Sequence, residues 1–213
     1  MDYTGKGALM LWLDVTPELR AETDTWYAVE HLPDRVGPGG YLCARRYKAL
    51  EASPEYLTFF VAETPEDLAS PGYLGLVKQI SQQSHRIRAG FRDVARNTFR
   101  FTAGHSLGVG GVALALRSRG GTMAPLVAEL GRAQGVVAVH ALQAAPEIRA
   151  RMDAVRVTGL DDAPTGDVLL VEALQVEDLH ALRQGLLATA ALAARGIEEE
   201  HHGLYALQHH LAR

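Results

Sequence analysis

The chain has 213 residues, 47% hydrophobic and 22% charged, with a formal net charge of −4. Such a balance marks an ordinary globular protein with ample core material, and its acidity and scattered arginines exclude the basic face of a nucleic-acid binder. No apolar run approaches the roughly 20 residues of a membrane span, and the lone Cys43 leaves no internal disulfide and fits a reducing cytoplasm.

No leader peptide is expected, because the polar start Met1–Lys6 runs straight into a strand at Ala8–Val15. There Leu9, Leu11 and Leu13 share one face and Ala8, Met10 and Trp12 the other, the mark of a strand buried on both sides. Thr16-Pro17-Glu18 starts a helix with an N-cap hydroxyl, proline in the first turn and an early acid. The pattern carries that helix to about His31, where Pro33 ends it, and a glycine-rich loop follows to Gly40. Strands are expected at 41–49 and 56–62, a helix from Pro65 to Ala89 interrupted near Pro71-Gly72, and a fourth strand at 93–102. Beyond a glycine-rich junction at Gly104–Gly111, the same order returns. It gives a strand at 109–117, a helix at 122–132, strands at 136–144 and 167–173, a helix at 176–195 and a strand at 203–211.

The repetition extends to the residues. YLTFFVAETPEDLA at 56–69 aligns without a gap on DVLLVEALQVEDLH at 167–180, sharing an alanine and the Glu-Asp-Leu that opens a helix. The expected architecture is therefore α+β, two fused β-α-β-β-α-β units, with an N-terminal half at 1–104 and a C-terminal half at 105–213. The segment 146–166 is longer than its counterpart in the first half.

One motif separates the halves. Trp26, Glu30, His31 and Pro33 form W-x3-E-H-x-P, whereas the matching helix of the second half reads APLVAELGRAQG. The tandem ferredoxin-like pattern resembles the dimeric α+β barrel superfamily in single-chain form. The W-x3-EH-P motif and the following Ala-Arg-Arg-Tyr at 44–47 resemble its EthD-like branch and an uncharacterised bacterial barrel family. The resemblance implies a barrel with external helices and a pocket, without fixing one reaction.

A histidine in the last turn of a helix would meet exposed carbonyls that favour the imidazolium, so His31 is expected to have a raised pKa and to act as an acid or acid/base. Tyr27 lies four residues earlier and would line the same wall, with Trp26 and Glu30 beside it. The same residues also suit a helix cap and a core tryptophan. Polar residues on apolar strands are the next signal, because burying one unpaired costs on the order of 1–3 kcal/mol. Arg45 and His140 hold corresponding mid-strand positions, Glu172 sits inside DVLLVEAL, and Asn97 lies on a closing strand. These either satisfy one another across the two halves, as in an Arg45–Glu172 pair, or line a cavity, with Tyr47 and Trp12 as aromatic walls.

Metal-ligand spacings, nucleotide-binding glycine motifs and the G-x-S-x-G elbow are lacking, so no metal and no cofactor are expected. Haem is considered because barrel relatives include haem enzymes, but His85 stands among polar residues in QQSHRIR. The function expected is a cofactor-independent cyclase, dehydratase or isomerase acting on a small apolar oxygenated metabolite such as a polyketide. His31 would be its acid/base, with Arg45 or Tyr47 polarising a carbonyl. A cofactor-free monooxygenase and a non-catalytic binding or stress-response protein are the alternatives. A cytoplasmic protein with a small-molecule partner is expected, no nucleic acid or membrane, and homodimerisation is left open.

Overall fold

The computed structural model describes residues 3–155 and 162–213. In the first half, β1 (Gly7–Val15) leads through a short turn of helix to α1 (Arg20–Trp26), a wider turn at Tyr27–His31 and α2 (Leu32–Val36). Then come β2 (Cys43–Glu51), β3 (Tyr56–Ala62), α3 (Pro71–Lys78), α4 (Gln82–Arg88) and β4 (Phe91–Ser106). The second half has β5 (Val112–Arg119), α5 (Ala124–Leu130), β6 (Val136–Ala144), α6 (Pro146–Asp153), β7 (Asp167–Ala173), α7 (Val176–Gln184), α8 (Thr189–Ala193) and β8 (Glu198–Ala212).

The eight strands close into a barrel in the order β1-β3-β2-β8-β5-β7-β6-β4, every pairing antiparallel. Each half contributes four neighbouring strands in the same relative order, 4-1-3-2, which is the ferredoxin-like arrangement. The seams are β2–β8 and β4–β6. The last strand of each half is 15 or 16 residues long, enough to pair within its own half and across the seam. Bulges interrupt the register on both seam pairings, the local twist that lets a sheet bend shut.

Strand alternation sorts the side chains into three cores. Ala8, Met10 and Trp12 of β1 point into the barrel with Tyr47, Phe59, Phe99 and Leu170. Leu9 and Leu13 point outward beneath the first-half helices, with Phe60, Trp26, Tyr27 and Tyr73. Leu114, Leu116, Leu169 and Val171 do the same beneath the second-half helices, against Leu126, Leu130, Leu179 and Leu192. The first strand's two faces are thus divided as its sequence predicts.

Several boundaries differ from the pattern. The first helical stretch does not end before Pro33 but continues to Val36. Thr16 makes no side-chain capping bond, although Pro17 occupies the first turn as expected. The helix after β3 breaks at Gln79–Ser81 as well as near Pro71, and Ser70 and Ser81 cap the two pieces by accepting from the backbone N–H groups of Tyr73 and Ser84. The longer segment of the second half carries an extra helix, α6.

Candidate functional site between the first sheet and its helices

Proline within a helix removes a donor and crowds the carbonyl four residues earlier. Here the chain widens by one residue just before it: the Leu32 N–H reaches back five residues to the Tyr27 carbonyl. Pro33 then falls in the first turn of α2, where it is tolerated. Such widened turns recur at functional sites. Its consequence is to correct one expectation: His31 sits mid-path, not among the open carbonyls of a helix end. Gly39 fixes the exit, since a Cβ there would lie 2.6 Å from the Arg35 carbonyl oxygen.

His31 is 9% exposed. Its ring lies 4.4 Å from Trp26, 4.8 Å from Tyr27 and 6.1 Å from Phe60, centroid to centroid. Its side chain has no hydrogen-bond partner among the described residues. Three guanidinium groups surround it. Arg46, from the outward face of β2, lies 3.7 Å over the Tyr27 ring and 4.1 Å over Tyr56, and its Nη2 donates to Asp24 at 3.0 Å. Arg88 of α4 faces Trp26 at 5.7 Å, and Arg35 of α2 faces Tyr73 at 5.4 Å. Burial first, then Arg35, Arg88 and Arg46, hold the His31 pKa well below its ordinary value. The expected imidazolium is therefore corrected: His31 is neutral at physiological pH, an acceptor for a proton and not a store of one.

A cavity of about 70 Å³ opens beside this ring, walled by Leu9, Leu11, Phe60, Val77 and Phe91, with His31, Arg35, Arg88, Arg96, Asp162 and the phenols of Tyr27 and Tyr73 as its polar elements. Arg96 is neutralised by Asp153 and by Asp162, the latter at 2.9 Å. An adjoining crevice of about 130 Å³ shares His31, Arg35 and Arg88 and leads outward between α2 and α4. At its rim Glu30 accepts hydrogen bonds from Ser81 at 2.9 Å and Ser84 at 3.0 Å, tying the two helices together.

The other residues singled out in the sequence lie on the far side of the sheet. Arg45 and Tyr47 alternate with Arg46 along β2 and point into the barrel. Arg45 Nη1 donates to Glu172 Oε1 at 2.9 Å, and the Tyr47 hydroxyl donates to the same oxygen. The pair anticipated between the two halves is thus present and fully buried. Burial pushes the Glu172 carboxyl up, against the pull of Arg45 and Tyr47. His140 packs among Tyr3, Phe101 and Phe59 with neither ring nitrogen hydrogen-bonded, and burial followed by the Arg45 charge lowers its pKa to about 3. Asn97 donates to the Thr165 carbonyl at 2.6 Å and accepts from the Thr98 N–H. Trp12 lies 5.2 Å under Arg117. A wider cavity of about 580 Å³ at one end of the barrel reaches Tyr3, Cys43 and Arg45.

The sheet therefore separates His31 from Arg45 and Tyr47, and the single constellation expected of these three is corrected to two sites on opposite faces. Trp26, Tyr27 and Glu30 stay with His31, whereas Trp12, Asn97, His140 and Glu172 belong to the barrel interior. Sequence reasoning missed Arg35, Arg46, Arg88 and Tyr73. Arg46 was legible as the residue next to Arg45 on a strand, hence on the opposite face. Arg35 was legible as one helical turn past His31, had the helix been carried through Pro33.

No family model and no curated protein matches the chain. Solved structures do. An anthrone oxidase-like protein aligns with a TM-score of 0.62 and 13% identity, over 97% of this chain and 92% of that one. A candidate monooxygenase from Fusobacterium nucleatum aligns at 0.58 and 8%, over 99% and 96%. A mutant chlorite dismutase from Candidatus Nitrospira defluvii, in complex with cyanide, aligns at 0.58 and 13%, over 97% and 92%. These likenesses place the fold: it is that of the dimeric α+β barrel proteins, with both barrel halves in one chain.

A neighbour described as a haem-binding protein makes haem the group to test. The residues present do not fit it. The layer between sheet and helices in the second half is filled with aliphatic side chains and holds no buried histidine among the described residues. In the first half the cavity beside His31, at about 70 Å³, has no room for a planar macrocycle. His85 is exposed on α4.

Proposed function

We propose that the protein is an enzyme acting on a small, largely apolar, oxygen-bearing molecule, bound between the first sheet and its helices, with His31 as the general base. The observation that carries this reading is a neutral imidazole, without a hydrogen-bond partner among the described residues, facing an aromatic cavity with Arg35 and Arg88 in its wall. A neutral imidazole accepts a proton from a carbon or oxygen acid of the substrate, and the guanidinium charges of Arg35, Arg46 and Arg88 favour the anion left behind. The mostly apolar walls lower the local polarity, which strengthens those interactions. The same proton, returned from the imidazolium to another atom of the substrate, completes an isomerisation or a cyclisation with no net change in the protein. Dehydration follows the same path if the anion expels hydroxide, which leaves as water with that proton. A polyketide-type aromatic ketone suits such a wall of rings.

The cavity, at about 70 Å³, is smaller than the roughly 300 Å³ at which small-molecule pockets begin. The crevice beside it, bounded by the short helices α3 and α4 and held by the Glu30–serine contacts, is the route by which the space would enlarge. Replacing His31 with Gln should cut turnover about 100-fold or more with the fold intact. Unchanged turnover in a well-folded variant would remove His31 from the chemistry and leave a binding protein.

A second reading shares every residue and differs in the fate of the anion. An electron-rich aromatic anion in a dry pocket is also the species that reacts with dioxygen, and neighbours of this fold are described as anthrone oxidase-like and monooxygenase proteins. An oxygen electrode separates the two: one O2 consumed per turnover marks oxygenation, and none marks the isomerase or cyclase.

A further inference from the structure

Arg35 is a buried cation of this site with no carboxylate in direct ion-pair contact among the described residues, Glu30 acting on it only at longer range. It is 5% exposed. Among the described residues no carboxylate lies within ion-pair distance of it and no acceptor within hydrogen-bond distance; its recorded partner is the face of Tyr73, at 5.4 Å. The neighbouring guanidinium groups are provided for differently. Arg46 is paired with Asp24, and Arg96 with Asp162 and Asp153. The Arg35 guanidinium reaches only the solvent that the crevice admits; a largely buried cation without a close partner is costly, and a ring face offsets only part of that cost. Arg35 also borders both the inner cavity and the outer crevice, so a molecule entering from the crevice reaches it on the way to His31. Arg35 follows His31 by one turn of α2, so the two side chains stand on one helix face.

We propose that the substrate is an acid, and that Arg35 binds its ionised carboxylate while the apolar body of the molecule occupies the space beside His31. A planar guanidinium with unfilled donors matches a carboxylate in a two-point geometry that an alcohol or ketone does not reproduce. This rests on the site proposed above and adds the chemical class of what it selects. It also resolves a difficulty in that site. A histidine among three cations is a weak base, and a bound carboxylate cancels the nearest of those charges, so the substrate readies the base that acts on it. Other groups around His31 are the Arg96–Asp162 pair, which lines the cavity with its charges mutually paired, the phenols of Tyr27 and Tyr73, and the carboxylates of Glu30 and Asp34 at the crevice. Glu30 is committed to Ser81 and Ser84, and none of the three carboxylates lies within ion-pair distance of Arg35.

The test uses two probes of one shape, 2-naphthoate and 2-naphthylmethanol, titrated calorimetrically into the full chain and into Arg35→Met, Arg35→Lys and His31→Gln. The wild type is expected to prefer the acid by roughly tenfold or more, the range of a charge-assisted hydrogen bond. Arg35→Met should lose that preference while binding the alcohol as before, and Arg35→Lys should keep part of it. With 15N-labelled protein, the acid should also move the His31 ring resonances toward the imidazolium at a pH where the alcohol does not. Equal binding of both probes to the wild type, a preference that survives Arg35→Met, or no binding of the acid at millimolar concentration would each overturn the proposal. His31→Gln should retain the preference. Its turnover is a separate measurement, so a failure of the base and a failure of the anchor are distinguishable.

Discussion

The two halves share a topology and differ in what they hold between sheet and helices. Of the 13 buried polar or charged residues among those described, ten lie before residue 105 and three after it. In the first half that layer contains His31, Arg35 and Arg46 among aromatic rings. In the second, leucines, valines and alanines fill it, with Ser118 the one buried polar side chain facing the helices. Fusion of two like units removes the need for both to be functional. One copy packs as dense scaffold, each buried leucine contributing about 1.5–3 kcal/mol, and the other keeps polar groups that such packing would expel.

The largest expected effect lies where the halves meet. Arg45 of β2 and Glu172 of β7 form an ion pair inside the barrel. Removing one partner strands a buried charge, so Arg45→Met should lower stability by about 3–5 kcal/mol, and adding Glu172→Leu should recover much of it. Urea midpoints of the single and double variants measure both. A single variant as stable as the wild type would mean that the pair does not hold the seam together.

A smaller effect is a pH dependence of stability. His140 has a folded pKa of about 3, below the ordinary value near 6.5. As pH falls, the unfolded chain takes up this proton first. Stability is therefore full above about 6.5 and declines toward about 3, at up to about 1.4 kcal/mol per pH unit. His31 acts in the same sense. Glu172 acts in the opposite one, since its raised pKa makes its contribution fall as pH rises above the usual carboxylate range. His140→Phe should flatten the slope between pH 6.5 and 5 by about one proton, measured from denaturation midpoints across that interval. An unchanged slope would place His140 in contact with water.

Much of this fold was legible in the sequence because its signals are local. The alternation of Leu9, Leu11 and Leu13 with Ala8, Met10 and Trp12 set the two faces of β1, and the strands 136–144 and 167–173 appear at the expected residues. The Arg45–Glu172 pair was legible because two charges of opposite sign on apolar strands must find each other. The site was legible only in part. W-x3-E-H-x-P marks the helix that carries the proposed site, but a proline reads as a stop, and the widened turn that carries the chain past it leaves no mark in composition. Period-two alternation says that Arg45 and Arg46 face opposite ways without saying which faces the helices, and it is Arg46, not Arg45, that shares the helix side with His31. Arg35 and Arg88 come together through helix packing, which no spacing encodes.

His31 stands neutral among guanidinium groups in a largely apolar pocket. Long-range 1H–15N correlation spectra of the imidazole rings, followed from pH 8 to pH 5 and assigned with His31→Gln, test it directly. The His31 nitrogens are expected to keep the separated shifts of a neutral ring throughout that range. Convergence of those shifts with a midpoint at 6.5 or above would show a ring open to water, and would contradict it.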